Sequence, residues 1–170
     1  MRALLINPWV YDFKAFARAL KENGIDVEGD AGDGFTETHQ VVIRVRKYGS
    51  GNDIALRLEK NNIIANYQAL PDDESFLEAS GIRMGVQEMT RFGMKEQDFK
   101  ILAGYLAEVI TGNKNVKEEI KKLRERFLEM KYCLPVEEAA PLAAKIFASI
   151  LPHTEFFKLF ANNLAKTTKI

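Results

Sequence analysis

Apolar residues recur along this chain in two periods, and the change from one to the other divides it. An opening apolar run, Ala3 to Ile6, ends at Asn7-Pro8 and reads as a short strand or a docked arm. From Asp12, a good helix N-cap, Phe13, Phe16, Ala17 and Leu20 fall on one helical face, and Asn23-Gly24 closes the helix. Ile25-Asp26-Val27 alternates like a strand, and the glycines and aspartates of 29–34 make a loop. Val41, Ile43 and Val45 share one face of a second strand, with Gln40, Arg44 and Arg46 opposite; Val42 breaks the alternation, so both faces are expected to be partly covered. A short helix follows over Asn52 to Asn62, burying Ile54, Ala55 and Leu58. Ile63 to Asn66 reads as a strand, Leu70 to Ser75 as a polar connection, and Gly81 to Gly85 as a last strand between glycines.

Beyond that point the period is helical. Phe99, Leu102, Ala103, Leu106, Val109 and Ile110 form one stripe that ends near Gly112. Val116, Ile120, Leu123, Phe127 and Met130 form a second, only two heptads long, which predicts packing on the same body and not a coiled coil. Pro135 to Leu151 makes a third helix with Val136, Ala139, Ala143, Ile146, Phe147 and Ile150 inward; Pro152 ends it, and Thr154 caps a last segment holding Phe156, Phe157, Phe160 and Leu164. The order predicts an α+β fold: a small, mostly antiparallel sheet covered by helices, with a C-terminal helical extension. No internal repeat or low-complexity segment is present.

Composition narrows the function classes. The chain has 170 residues, one ordinary domain or one domain with an appendage, and its 46% hydrophobic content can build a core. Twenty-four basic and 24 acidic side chains cancel, so no global field favours nucleic acid or an anionic membrane. No apolar run reaches the roughly 20 residues of a membrane span. The single cysteine, Cys133, excludes an internal disulfide framework and points to a reducing compartment; a cytoplasmic location is expected.

Candidate chemistry is sparse. His39, at a strand start, reads as a hydrogen-bonded structural residue, and His153 as exposed. No His or Cys pair has metal-ligand spacing, so no metal site is expected. The glycines of 29–34 lack the lysine of a phosphate loop, and Asp72-Asp73 reads as a turn. One arrangement needs a reason: Arg83 inside the apolar run Ser80-Gly81-Ile82-Arg83-Met84-Gly85. A permanent charge there requires an anionic or carbonyl partner, either an internal acid or a free carboxylate that the planar fork binds in a bidentate manner.

That run resembles the S-G-[IL]-R-[LIV]-G segment of serine hydroxymethyltransferases. Thr36 to Val42 is similar to the family's T-D-N-H-L-V-L strand, and Leu58 to Asn66 to its L-E-x-A-x-I-x-x-N. Gly85 to Met94 resembles G-T-Q-E-x-T-R-x-G-M, the version of archaeal-type members. Together these cover roughly Asp12 to Cys133. The resemblance implies a C-terminal small domain of a fold-type I pyridoxal-phosphate enzyme over residues 1–133, with residues 134–170 as a helical extension outside it.

The resemblance also implies roles. Arg83, with Ser80, would hold the carboxylate of an amino-acid substrate, glycine or serine. Asn66, Tyr67 and Gln68 stand where the family has N-K-N beside its one-carbon carrier, with Tyr67 and Gln68 replacing the Lys-Asn pair. The family's cofactor lysine lies in T-T-T-x-H-K of a large domain, and nothing here resembles it. No catalytic residue is therefore expected in this chain, and pyridoxal phosphate is expected only through a partner domain or chain. The competing expectation is a non-catalytic binding or assembly module that keeps the fold. Phe147, Phe156, Phe157 and Phe160 either fold back on the domain or join two copies; a homodimer is expected, because adjacent aromatics at Phe156-Phe157 point around a helix and cannot share one shallow groove.

Overall fold

Residues 8–130 and 136–150 are described by a computed structural model, and the chain divides into two compact units, Met1–Met130 and Lys131–Ile170. The first unit contains, in order, α1 (Pro8–Glu22), β1 (Asp26–Val27), β2 (Val41–Arg44), α2 (Gly51–Lys60), β3 (Asn66–Gln68), a 3-10 turn (Phe76–Glu78), β4 (Gly81–Met84), α3 (Gln87–Arg91), α4 (Glu96–Gly112) and α5 (Lys117–Glu125). The four strands form one antiparallel sheet in the order β1-β2-β4-β3. The fold is α+β, with the helices gathered on the sheet's apolar face.

Strand alternation builds that face. Val27 pairs with Ile43, Ile43 with Ile82, and Val41 with Met84, so their side chains meet on one side of the sheet and all are buried. Above them α1 packs along α4 through the stripes legible in the sequence. Phe13, Phe16 and Leu20 join Phe99, Ala103, Leu106 and Ile110 in one cluster, with the Phe16 and Phe99 rings edge-to-face at 6.0 Å. Each fully buried ring contributes about 1.5–3 kcal/mol. Ile54 and Leu58 seat α2 on the same core. Its N-terminus is capped by Ser50, whose hydroxyl oxygen accepts the Asp53 N–H at 3.1 Å.

Several expectations are corrected. The first helix starts at Pro8, so Asp12 lies inside it as a buried acid that accepts the Thr90 hydroxyl at 2.8 Å, and it is not an N-cap. The third strand is Asn66–Gln68, where the sequence suggested Ile63 to Asn66; Asn61 and Asn62 bond back to α2 and carry the chain past Ile63 before pairing begins. Ala55, assigned to the core, is only partly buried. The five-residue α3 was missed, because one turn shows no period. The α5 helix stops at Glu125; Val116, Ile120 and Leu123 are buried, whereas Met130 is half exposed.

The second unit contributes α6 (Val136–Ile150), with Pro141 inside it. Ile146, expected inward, is 58% exposed, and Leu142 is 51% exposed. The N-terminal run Ala3 to Ile6, Cys133, His153, and the segment with Phe156, Phe157 and Phe160 lie outside the described residues.

Candidate functional site

The central strand β4 runs between β2 and β3, and its alternation decides where its charge goes. Ile82 and Met84 enter the core, so Arg83 projects to the opposite face, flanked in register by Val42 on β2 and Asn66 on β3. It is half-buried there. Among the described residues no acid pairs with its guanidinium and no hydrogen bond engages it. No buried side-chain nitrogen among those residues lacks a partner, so the Arg83 N–H groups reach solvent.

Arg83 lines an open groove of about 560 Å³ that follows residues 64–67 along the β3 edge. One wall is α2. Asn52, Ala55, Leu56 and Glu59, at helical steps of three, one and three, form a stripe beside its core face. The other wall is aromatic. Tyr67 and Phe76 pack with ring centroids 5.4 Å apart, and Phe76 remains 59% exposed. Close backbone approach shapes this corner. The Gly51 N–H donates to the Ala79 carbonyl at 2.8 Å, and a Cβ on Gly51 would lie 2.7 Å from that oxygen. A Cβ on Gly81 would meet the Gln68 carbonyl at 2.8 Å.

Behind the groove, acids and bases fix the segment between β3 and β4. The Asp73 carboxylate accepts the Leu70 N–H (2.7 Å), the Ser80 N–H (2.8 Å), the Ser80 hydroxyl (2.6 Å) and the Arg46 guanidinium. These donors hold it far below the usual carboxylate range, the Leu70 amide most strongly. Its side chain is fully covered while that of Arg46 is 63% exposed. Arg44 bridges Glu28 and Asp72, and its hydrogen bond lowers the Asp72 pKa.

The residues singled out by the sequence therefore separate. Arg83, Asn66 and Tyr67 meet in the groove. Gln68 follows on the same strand, opposite Gly81. Ser80 is buried, its hydroxyl committed to Asp73, and it opens toward a second, smaller depression beside Arg44 and Arg46. His39 is exposed, its ring 3.3 Å from the Gln40 amide. Asn52, Glu59 and Phe76 were not singled out. The stripe at 52, 55, 56 and 59 was a readable signal for the first two; Phe76 had none. Among the described residues no cluster of metal-ligating side chains occurs, and no helix is long and apolar enough to cross a membrane.

A family model described as serine hydroxymethyltransferase matches residues 8–106, more than half of the chain. The chain belongs to the serine hydroxymethyltransferase family. The serine hydroxymethyltransferase of Pyrobaculum aerophilum is 44% identical over 147 residues, covering 85% of this chain and 34% of that relative. That of Sulfolobus acidocaldarius is also 44% identical over 147 residues, covering 84% and 34%. Among solved structures, an L-threonine transaldolase from Pseudomonas fluorescens in its internal aldimine state is similar, with a TM-score of 0.63 and 33% identity over 78% of this chain and 32% of that one. The chain thus spans about a third of the length of the serine hydroxymethyltransferases it matches.

Full-length serine hydroxymethyltransferases depend on pyridoxal phosphate. The groove's charged residues are Arg83 and Glu59, with no lysine amine to form a Schiff base. Its residues do not by themselves make a seat for that cofactor.

Proposed function

We propose that this chain supplies the substrate-carboxylate clamp of a serine/glycine hydroxymethyltransferase-like enzyme. The single observation that carries the reading is the half-buried Arg83 guanidinium, unpaired among the described residues, at an open groove. A guanidinium left without a protein acid is matched in charge and shape to a free carboxylate, which it grips through two parallel N–H donors. Asn66 adds an amide beside it. Ser80 acts one step back, through Asp73, by holding the start of β4 in place.

Pyridoxal phosphate, which stabilises negative charge at the substrate α-carbon, comes in this reading with a large domain, on a separate chain or on the same longer polypeptide. In this reading residues 1–133 are the family-like domain and residues 134–170 an extension outside it. Exposed apolar side chains near the groove, Ile64 at 79% and Leu77 at 95%, support coverage by that domain or by a second copy in a homodimer. They also favour the second reading, a non-catalytic assembly module.

Reconstitution decides between them. The chain is joined to a pyridoxal-phosphate domain of an archaeal relative, and cleavage of serine to glycine is followed. The clamp reading expects turnover, with Arg83→Lys raising KM for serine by about a hundredfold, because a point charge cannot replace the fork. Turnover indifferent to Arg83→Lys, or assembly without turnover, favours the module.

A further inference from the structure

Buried side chains hold three of the strands in register: Val27 on β1, Val41 and Ile43 on β2, Ile82 and Met84 on β4. The edge strand β3 has no such anchor. None of Asn66, Tyr67 and Gln68 is buried, and the buried residues on either side, Ile63 and Leu70, lie outside the paired stretch. Nor does a tight turn fix it. Residues 69–80 separate β3 from β4, whereas the hairpin loops that set register run about two to five residues. The register still matters to the groove. Asn66 pairs with Arg83, which puts both side chains on one face with Cβ atoms about 4.5–5.5 Å apart. A slip of one residue would turn Asn66 to the other face.

One carboxylate spans the long connection. Asp73 Oδ2 accepts both the Leu70 N–H at 2.7 Å and the Ser80 N–H at 2.8 Å. Leu70 lies just past β3, and Ser80 immediately precedes β4. The Ser80 hydroxyl and the Arg46 guanidinium donate to the other oxygen, Oδ1. The Ser80 carbonyl in turn accepts the Val45 N–H at 2.9 Å, just after β2. Both ends of the connection are thus tied to a single atom, and that tie is joined to the buried strands.

We propose that Asp73 is a positioning residue: by tying the end of β3 to the start of β4 it sets their register and keeps Asn66 opposite Arg83. This rests on the carboxylate role proposed for Arg83 and names what fixes its geometry.

The test uses the full 170-residue chain with glycine as the probe. Two quantities are read by NMR: the glycine concentration that half-saturates the Arg83 Nε–H shift, and the backbone NOEs between Asn66 and Arg83. In Asp73→Ala the half-saturation concentration rises about tenfold, and those NOEs disappear or move to a neighbouring pair. Asp73→Asn keeps one oxygen for the two amides but loses the charge, and it falls between parent and Asp73→Ala. Val109→Ala, in the buried core on α4, is the control for lost stability: it lowers Tm and changes neither quantity. Should Asp73→Ala lose dispersed amide spectra, Ser80→Ala makes the same comparison with one hydroxyl removed and a rise of about threefold. An unchanged half-saturation in Asp73→Ala, or a rise with the Asn66–Arg83 NOEs intact, overturns the proposal and leaves the carboxylate role standing. An equal rise in Val109→Ala overturns it as well. If Arg83 in the parent chain does not respond to glycine, the carboxylate role fails and the positioning role with it.

Discussion

The Ser80 hydroxyl donates to the Asp73 carboxylate at 2.6 Å, closing residues 73–80 into a loop that carries Phe76 to Tyr67. Two backbone amides and Arg46 share the same carboxylate. A covered anion with four donors holds its segment more firmly than any neutral side chain could. Asp73→Ala should leave the core helices intact and accelerate amide exchange at Leu70 and Ser80 by about tenfold or more. Unchanged protection at both amides would show that the carboxylate does not hold the loop.

The Asp73 contact also has a defined pH dependence. Its pKa in the folded chain lies below the ordinary 3.8, chiefly because of the Leu70 amide. A depressed pKa contributes stability that is fully present above the unfolded value and lost as pH falls through the folded one. Protection of Leu70 and Ser80, corrected for intrinsic exchange, should stay flat from pH 7 to about 4 and decline only below it. A decline beginning near pH 6 would contradict this.

Asp12 behaves in the opposite sense. Burial pushes its pKa up, against the Thr90 hydrogen bond and Lys95, which lower it. A raised folded pKa gives a contribution that is complete below the unfolded value and is lost as pH rises through the folded one. Asp12→Asn keeps an oxygen for the Thr90 hydroxyl and abolishes the titration. Its Tm advantage over the parent should therefore be larger at pH 7 than at pH 3, read by thermal melts at both. An equal difference at the two pH values would sink the argument.

Core and corner substitutions test the packing. Phe99→Ala removes the ring that meets Phe16 and should cost about 3–5 kcal/mol by denaturant unfolding. Gly51→Ala forces a Cβ to within 2.7 Å of the Ala79 carbonyl and should cost about 1–3 kcal/mol, since backbone must move. A neutral Gly51→Ala would mean that the α2 N-terminus is not tightly docked on the β4 approach.

Where the sequence was legible, periodicity was the reason. Phe13, Phe16, Leu20, Phe99, Leu106 and Ile110 announced a helix pair by spacing alone, and they pack as one cluster. Arg83 stood out in the sequence as a permanent charge inside an apolar run, but its face followed only from the register of β4 against β2 and β3. The groove was only half legible. Glu59 and Asn52 lie on a polar-apolar stripe of α2 that spacing could reveal, but Phe76 reaches Tyr67 through a loop closed by Asp73 and Ser80. No local pattern encodes that contact, because it depends on β3 and β4 pairing first. Asp72-Asp73 was readable as a turn, while its partners Arg44, at the end of β2, and Arg46, in the turn after it, come 26 to 28 residues earlier. Asp12 misled for a simple reason: a good capping residue preceded the first phenylalanine, and the preference for that cap hid a tertiary hydrogen bond to Thr90.

The central claim concerns one side chain, and one measurement reaches it directly. Glycine is titrated into the full chain while the Arg83 Nε–H resonance is observed, with Arg83→Lys as the matched control for fold and charge. The account predicts a saturable shift at Arg83, largely lost when glycinamide replaces glycine, and no saturable response at Lys in the variant. An Arg83 resonance that ignores glycine, or that moves equally with glycinamide, would contradict it.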